Sequence, residues 1–184
     1  MAEYSLETPL KNGDIEKLKA GDKVTLSGVV YTARDAAHKR LVDLIEAGKE
    51  LPMPIEGQVI YYVGPAPTPP GKAIGSAGPT TSYRMDTYTP ILLEHGLKGM
   101  IGKGERSGLV EESMKKNTAV YFAATGGAAA LISKRIIKAE VIAYEDLGAE
   151  AIRRLEVKDF PLIVAQDCHG GNIYREGQKK YAKI

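Results

Sequence analysis

The segment from residue 64 to residue 81 restricts the fold more than any other part of the chain. It reads GPAPTPPGKAIGSAGPTT and contains five of the ten prolines together with four glycines. Because proline fixes φ and lacks an amide donor, neither a helix nor a central strand can form here. Loops of this length inside a compact domain are uncommon and usually functional. We therefore expect a shaped binding loop, and a flexible linker between two domains is the alternative.

Short apolar runs on both sides of this loop alternate with amphipathic stretches, which indicates an α/β fold. Strands are predicted at residues 23–31, 58–63, 98–102, 118–124, 136–144 and 162–166, and helices at residues 36–49, 85–95 and 107–116. The TGGAAAL run at residues 125–131 suits a tight turn from a strand into a helix, for close packing or for the approach of an anion. We expect six or seven strands and three or four helices, in one domain over residues 1–184.

The composition and charge exclude several classes of protein. Apolar residues make up 43% of the chain and charged residues 26%, which is typical of a soluble globular protein. The 25 basic and 23 acidic residues leave a formal charge of +2, which gives no electrostatic reason to expect a nucleic-acid partner. The first residues lack the pattern of a leader peptide, and no stretch approaches the roughly 20 apolar residues that span a bilayer. We expect a cytoplasmic protein without a membrane partner.

The single cysteine, Cys168, restricts cofactor chemistry. One thiolate cannot supply the cysteine ligands that an iron-sulfur cluster normally needs, so any such cluster must be held mostly by another chain. We interpret Cys168 as an unligated thiol. His38, His95 and His169 lack the spacing of metal ligands and are interpreted as structural or surface residues, so no metal site is expected in this chain.

The short motifs that identify common enzymes are missing from the sequence, among them the serine nucleophile elbow, the phosphate-binding loop and the dinucleotide fingerprint. Asp167, Cys168 and His169 adjoin one another near the end of the chain. Neighbours along a chain rarely face one another as a nucleophile and its base must. This run therefore predicts a turn after the last strand.

Polar groups gather after three predicted strands, where ligands usually bind in α/β folds. Arg34 follows the first, Arg84 follows the proline-rich loop, and Lys103 follows the strand at residues 98–102. Arginine presents a planar fork that matches a carboxylate, and lysine a point charge, so this trio suits a ligand with two carboxylates. The alternative is that each is an ordinary surface or ion-pairing residue. Thr80 begins a run of three hydroxyl side chains, at least one of which is expected to cap a helix.

Longer stretches of the sequence resemble one enzyme family. SAGPTTSYRMDTYTP at residues 76–90 and GLKGMIGKG at residues 96–104 closely resemble the C-terminal region of class I fumarases and the β subunit of L-tartrate dehydratase. Further similar segments are TARDAAHKR at residues 32–40, YFAATGGAAAL at residues 121–131 and DFPLIVAQDCHGGNIY at residues 159–174. They follow in order over nearly the whole chain, which makes the resemblance more specific than any single motif.

The resemblance implies a swivelling β/β/α domain that docks beside a partner holding a 4Fe-4S cluster through three cysteines. In this family the open iron of the cluster binds substrate. The reaction is the reversible hydration of fumarate to malate, or the dehydration of tartrate to oxaloacetate. The resemblance therefore implies a β subunit that works with a separate cluster-bearing α subunit in an α2β2 assembly and binds no cluster alone.

The resemblance also implies roles for four residues. Arg34, Arg84 and Lys103 match positions that the family uses to hold the dicarboxylate substrate. Thr80 matches the threonine proposed as the family's catalytic base, a demanding role because an alcohol is a poor base at neutral pH. The acidic partner in proton transfer is expected in the α subunit. Fumarate is the favoured substrate, tartrate is the alternative, and a noncatalytic carboxylate-binding or regulatory module is a further alternative.

Overall fold

The computed structural model describes residues 1–124 and 129–181. The seven strands in these ranges are β1 (Glu3–Glu7), β2 (Lys23–Thr32), β3 (Val59–Tyr61), β4 (Gly99–Gly102), β5 (Val120–Ala123), β6 (Ile136–Ala143) and β7 (Ile152–Gln166). The six α-helices in the same ranges are α1 (Asn12–Ile15), α2 (Asp35–Glu46), α3 (Thr89–Glu94), α4 (Gly108–Asn117), α5 (Ala129–Ser133) and α6 (Ile173–Tyr181). Two 3₁₀ turns cover Ser82–Met85 and Glu145–Glu150.

The sheet closes on itself into a small barrel. Strands β2, β3, β4 and β5 are parallel neighbours in that order, and β7 runs antiparallel to both β5 and β2, which completes the ring. The first half of β2 also pairs with β1, and the first half of β7 with β6. Since β2, β3 and β4 are parallel, the residues that follow Thr32, Tyr61 and Gly102 lie at one end of the barrel. We call this end the carboxyl rim.

Side chains along each short strand alternate between two apolar clusters. In β3, Val59 and Tyr61 face the inside of the ring, whereas Ile60 belongs to the cluster that packs α2, α3 and α4 against the outside. Tyr61 and Phe160 come from strands that are not neighbours, and their rings meet edge to face with centroids 5.5 Å apart. The ring is therefore filled by side chains, and its parallel strands β3, β4 and β5 are covered on both faces. This double burial explains their unbroken apolar sequences.

Much of the predicted secondary structure is confirmed. The strands expected between residues 23 and 144 all form, as do the helices expected at residues 36–49 and 107–116, with boundaries that differ by up to three residues. The run Asp167-Cys168-His169 lies in a turn, as expected. Part of the predicted strand-to-helix turn, residues 125–128, lies outside the described residues, and α5 follows it.

Other predictions were incomplete or wrong. The strand expected at residues 162–166 does form, but it is only the end of β7, which begins at Ile152. In the first part of β7, buried apolar residues such as Leu155 and Val157 stand between charged residues. The charged residues made this part resemble a polar connection, so its alternation was overlooked. The helix expected at residues 85–95 begins only at Thr89, since proline occupies its first turn and Asp86 is held in an ion pair. β1 and α1 were missed because five and four residues are too few to establish a period, and α6 was missed because it is largely polar.

The proline-rich segment packs against the barrel and does not run out as an extended linker. It leaves β3 and returns to it, because Val63 and Pro79 form a bridge. The loop also bonds to itself, since the Ala66 amide donates to the Ser76 carbonyl at 2.9 Å. The hydroxyl of Tyr61 donates to the Ala77 carbonyl at 2.5 Å. These bonds give the loop a defined shape. In the described ranges, no helix combines the length and apolarity needed to cross a membrane.

Candidate functional site

The four residues predicted for the site all lie at the carboxyl rim. Arg34 is two residues beyond β2, and Lys103 directly follows β4. Thr80 reaches the rim from the proline-rich loop, where its amide donates to the Tyr62 carbonyl just beyond β3 at 2.6 Å. Because β2, β3 and β4 are adjacent, the structure brings together residues that are far apart in sequence.

Thr80 and Lys103 are joined through their backbones. The Lys103 amide donates to the Thr80 carbonyl at 3.3 Å, and the Ser82 amide donates to the Lys103 carbonyl at 2.9 Å. The side chain of Lys103 is exposed and that of Thr80 is half-buried. This pairing fixes the start of the TTSYR segment beside the end of β4.

Arg34 and Arg84 meet at one carboxylate, that of Asp35. Nη2 of Arg84 donates to Oδ2 of Asp35 at 2.8 Å, and Nη2 of Arg34 lies 3.8 Å from Oδ1 of the same group. Nη2 of Arg34 also lies 3.2 Å from Oε1 of Glu150, which belongs to the 3₁₀ turn before β7. Three cations and two carboxylates therefore share the rim, and together they leave a single net positive charge.

The two arginines differ in their surroundings. The side chain of Arg84 is 42% exposed, whereas that of Arg34 is 19% exposed. Nε of Arg34 is buried and has no hydrogen-bond partner among the described residues. Arg34 lies over Gly64, where a Cβ atom would stand 3.0 Å from Nη1 of Arg34. The side chain of Arg84 is thus accessible to a ligand from solvent, while the side chain of Arg34 lies deeper in the protein.

A buried arginine lies behind the rim. The side chain of Arg106 is fully buried, and its Nε donates to Oδ1 of Asp86 at 2.7 Å. Its Nη2 donates to Oγ1 of Thr89 at 2.7 Å and its Nη1 to the hydroxyl of Tyr62 at 3.1 Å. Burial opposes the charge, but Tyr62 and Asp86 offset this cost and hold the pKa of Arg106 above its ordinary value. Arg106 therefore remains a cation that needs its carboxylate.

This buried network fixes the loop that carries Arg84. The second oxygen of Asp86 accepts from the Ser107 amide at 2.7 Å, which ties the loop to the start of α4. Oγ of Ser82 lies 2.8 Å from the hydroxyl of Tyr121, which donates in turn to the Gly104 carbonyl at 2.8 Å. Gly102 permits this approach, since a Cβ atom there would collide with Oγ of Ser82. The 3₁₀ turn of Arg84 is therefore held from both ends.

His38 is a structural residue, one of the two interpretations predicted for it. It is buried on α2, its Nδ1 lies 2.9 Å from the Arg34 carbonyl, and its ring meets the Tyr62 ring edge-on at 5.2 Å. Burial lowers the pKa of His38 to about 4, so the ring is neutral at physiological pH. The neutral ring of His38 therefore packs α2 against Tyr62 beside the rim.

The turn at Asp167 has a structural explanation. Oδ1 of Asp167 accepts from the amides of His169 and Gly171, and its Oδ2 accepts from the Ala20 amide at 2.8 Å. Nε2 of His169 lies 2.8 Å from the Glu16 carbonyl, which requires Nε2 to donate and prevents it from acting as a base toward Cys168.

The same region does not suit an iron-sulfur cluster. Burial and the nearby Asp167 raise the pKa of Cys168, which favours the thiol over the thiolate that binds metal. Within residues 1–124 and 129–181, no group of three or more His, Cys, Asp or Glu side chains is placed to hold a metal ion. The donors present do not fit the cluster that the resemblance implies for the enzyme.

Asp35, Asp86, Arg106 and Glu150 were not predicted from the sequence. Asp35 and Asp86 lie inside the TARDAAHKR and TTSYRMD segments, so their position next to Arg34 and near Arg84 was visible. Their ion pairs were not, because Asp35 meets Arg84 from another segment and Asp86 meets Arg106, and Glu150, which pairs with Arg34, is also distant in sequence. Only the fold shows which charged side chains meet.

Known proteins that are similar to this chain are fumarate hydratases and a tartrate dehydratase subunit. The model of the family described as Fumarase C-terminus matches residues 1–177.

The chain is 40% identical to the anaerobic class I fumarate hydratase of Escherichia coli (strain K12), over 93% of its own length and 32% of the relative's. It is 38% identical to fumarate hydratase 2 of Leishmania major, over 87% of its own length and 28% of the relative's. It is 34% identical to the L(+)-tartrate dehydratase subunit beta of Escherichia coli (strain K12), over 97% of its own length and 90% of the relative's. The chain therefore spans about a third of the two fumarate hydratases and most of the tartrate dehydratase subunit.

The ion pair of Arg106 can be tested by stability measurements. Asp86→Ala leaves a buried guanidinium without its carboxylate, and we expect the free energy of unfolding to fall by about 3 to 5 kcal/mol. Asp146→Ala is the matched control, because it removes the carboxylate of the exposed pair with Arg40 and should cost at most about 1 kcal/mol. Urea denaturation followed by circular dichroism measures both. Similar losses in the two variants would show that Arg106 does not depend on Asp86.

His38 predicts a pH dependence of stability. Its ordinary pKa is 6.5 and its folded pKa is about 4, so between these values the unfolded chain binds a proton that the folded chain excludes. The stabilisation is complete above pH 6.5 and is lost as the pH falls toward 4, by up to about 3 kcal/mol. His38→Phe keeps an aromatic ring and should flatten this part of the profile, whereas His95→Gln, which alters an exposed histidine, should not. Urea midpoints between pH 4 and pH 7 provide the measurement, and an unchanged slope in His38→Phe would contradict the assignment.

Proposed function

The chain belongs to the fumarase C-terminus family, and we propose that it is the β subunit of a two-subunit hydro-lyase that binds a dicarboxylate at the carboxyl rim. The convergence of Arg34, Thr80, Arg84 and Lys103 at that rim is the observation that carries the proposal. These residues come from three separate segments that the sequence comparison with fumarases had already singled out. Three cations at one end of the barrel suit an acid with two carboxylates.

Fumarate is the substrate that we propose first, with its reversible hydration to malate as the reaction. The identities of 40% and 38% to two fumarate hydratases support this choice. Tartrate is the second candidate, because the relative named as a tartrate dehydratase subunit matches over 90% of its own length. Both acids have two carboxylates, so the cations of this chain suit either one.

We further propose a separate α subunit that carries the 4Fe-4S cluster, joined with this chain in an α2β2 assembly in the cytoplasm. The relative named subunit beta supports a partner chain. The raised pKa of Cys168 supports a cluster held outside this chain. We treat residues 1–184 as one domain of the swivelling β/β/α type, and a barrel with helices packed on its outer face is compatible with that fold.

The cations would act in binding and in catalysis. Arg84 uses Nη2 for Asp35, and its other nitrogens can donate to a substrate carboxylate. Lys103, which directly follows β4, adds an exposed positive charge at the rim. Positive charge beside the carboxylate also stabilises the negative charge that develops when a proton leaves the adjacent carbon. We assign the carboxylates of the substrate to Arg34, Arg84 and Lys103.

Thr80 is the residue of this chain that we propose as the base. The amide of Thr80 donates to the Tyr62 carbonyl, and its carbonyl accepts from the Lys103 amide. These bonds fix the backbone of Thr80, and its side chain is half-buried. The alkoxide form of Thr80 would accept the proton and return to the alcohol. An alkoxide forms near neutral pH only where nearby positive charge lowers the pKa of the alcohol, and Lys103 is the cation that we propose for this.

Reconstitution with an α subunit tests the proposed function directly. We expect the purified chain alone to be colourless and inactive, because its donors do not fit a cluster. Adding a cluster-loaded α subunit should create activity with fumarate, malate or tartrate, measured by absorbance at the fumarate double bond or by coupled assay. An isolated chain that carries a stoichiometric cluster would contradict the proposal, as would a complex inactive with all three acids.

The role of Arg84 is tested with a conservative substitution. Arg84→Lys keeps the charge but loses the planar fork, and a charge-assisted hydrogen bond is worth about 1.5 to 3 kcal/mol. We expect kcat/KM of the complex to fall roughly ten- to a hundredfold. Arg40→Lys is the control, since Arg40 has a similar exposure but pairs with Asp146 and not with Asp35. Circular dichroism and copurification with the α subunit confirm folding. Wild-type efficiency of Arg84→Lys with every acid would overturn the assignment.

A further inference from the structure

A carboxylate of the chain itself lies between the two arginines of the site. Asp35 accepts from Nη2 of Arg84 at 2.8 Å through Oδ2, and its Oδ1 faces Nη2 of Arg34 at 3.8 Å. Oδ1 is buried and has no hydrogen-bond partner within the described part of the chain. A carboxylate in this place reduces the attraction of the rim for an anionic ligand, so its presence calls for an explanation.

The contact with Arg84 fixes only one part of the guanidinium. A single nitrogen, Nη2, is bonded, and the side chain is otherwise 42% exposed on a short 3₁₀ turn. An exposed arginine has several rotatable bonds, and ordering them on binding costs affinity. A carboxylate that holds one nitrogen removes much of that cost beforehand and leaves the other nitrogens able to donate.

Asp35 is itself held in a defined place. It is the first residue of α2, whose start is fixed because the His38 amide donates to the Arg34 carbonyl at 2.8 Å. The adjoining amide of Ala36 donates to Oε2 of Glu150 at 3.4 Å, and Glu150 holds Arg34 from the other side. The position of Asp35 thus depends on the helix and not on the exposed loop of Arg84.

From these contacts we propose that Asp35 is a positioning residue, which orients Arg84 for the carboxylate of the substrate before the substrate binds. The inference rests on the proposed function of the rim and adds a residue to it. Asp35 does not contact the reacting atoms and acts through Arg84. The carboxylate of Asp35 also lowers the net positive charge of the rim. Binding of the substrate then depends more on the direction of the hydrogen bonds from Arg84 than on the net charge.

The test is Asp35→Asn in the complex with the α subunit, with kinetics on fumarate, malate and tartrate. Ordering one long side chain corresponds to about a 3- to 10-fold change in affinity. We therefore expect KM to rise by about this factor with kcat nearly unchanged, which is the signature of lost ground-state binding. Thermal stability is not the readout, since removing a negative charge from the start of α2 lowers it in any case.

Asp43→Asn is the matched control. Asp43 lies on the same helix and pairs with Lys39 at 2.7 Å, but it is exposed and away from the rim. Its substitution should leave KM unchanged. Asp35→Glu keeps the charge in a shifted place and should give a KM between those of the wild type and Asp35→Asn. If Asp35→Asn does not assemble, Asp35→Glu carries the test alone, with a rise in KM of about 2- to 3-fold expected.

The outcomes separate this inference from the proposed function. A wild-type complex inactive with every acid refutes the proposed function. An active wild type with unchanged KM in Asp35→Asn overturns the positioning role alone. A lower KM in Asp35→Asn would also overturn it, because Asp35 would then be a competitor of the substrate and not a support for Arg84.

Discussion

The buried charge of Arg106 is the constraint on which the arrangement of the carboxyl rim depends. A guanidinium without solvent must find acceptors for its donors, and here they are Asp86, Thr89 and Tyr62. Asp86 and Thr89 belong to the segment that carries Arg84, while Tyr62 follows β3. The need to satisfy one charge therefore fixes a polar loop, the start of α3 and a strand end relative to one another. The positions of the proposed binding residues depend on this arrangement.

The sequence predicted those parts of the fold that follow from local patterns. Apolar runs located β2 to β6, and the prolines identified the long loop. β7 was largely missed because its buried residues alternate with charges, and its identity as a strand depends on pairing with β2, β5 and β6. Arg34, Arg84 and Lys103 were predicted as site residues because they follow strands or the proline-rich loop, and these three and Thr80 also because they lie in segments similar to a known family. Asp35 and Arg106 were missed because their roles depend on partners distant in sequence, and no local period encodes such contacts.

The charge balance of the rim has a consequence for turnover. Three bare cations would attract a dianion strongly, and they would attract the product equally well because it has the same charge. Asp35 and Glu150 reduce this indiscriminate attraction. The affinity that remains comes from directional hydrogen bonds, which distinguish a correctly placed carboxylate from a misplaced one. Such an arrangement favours release as well as capture, as the proposed reversible reaction requires.

The proline-rich loop begins just after β3 and ends beside its own start, because Val63 and Pro79 form a bridge. Its two ends are therefore anchored side by side, whatever path the intervening residues take. The entropic cost of closing a loop grows only slowly with its length. Insertions and deletions between these anchors would leave Thr80 in place beside Lys103, so the loop can change in length during evolution without displacing the proposed site.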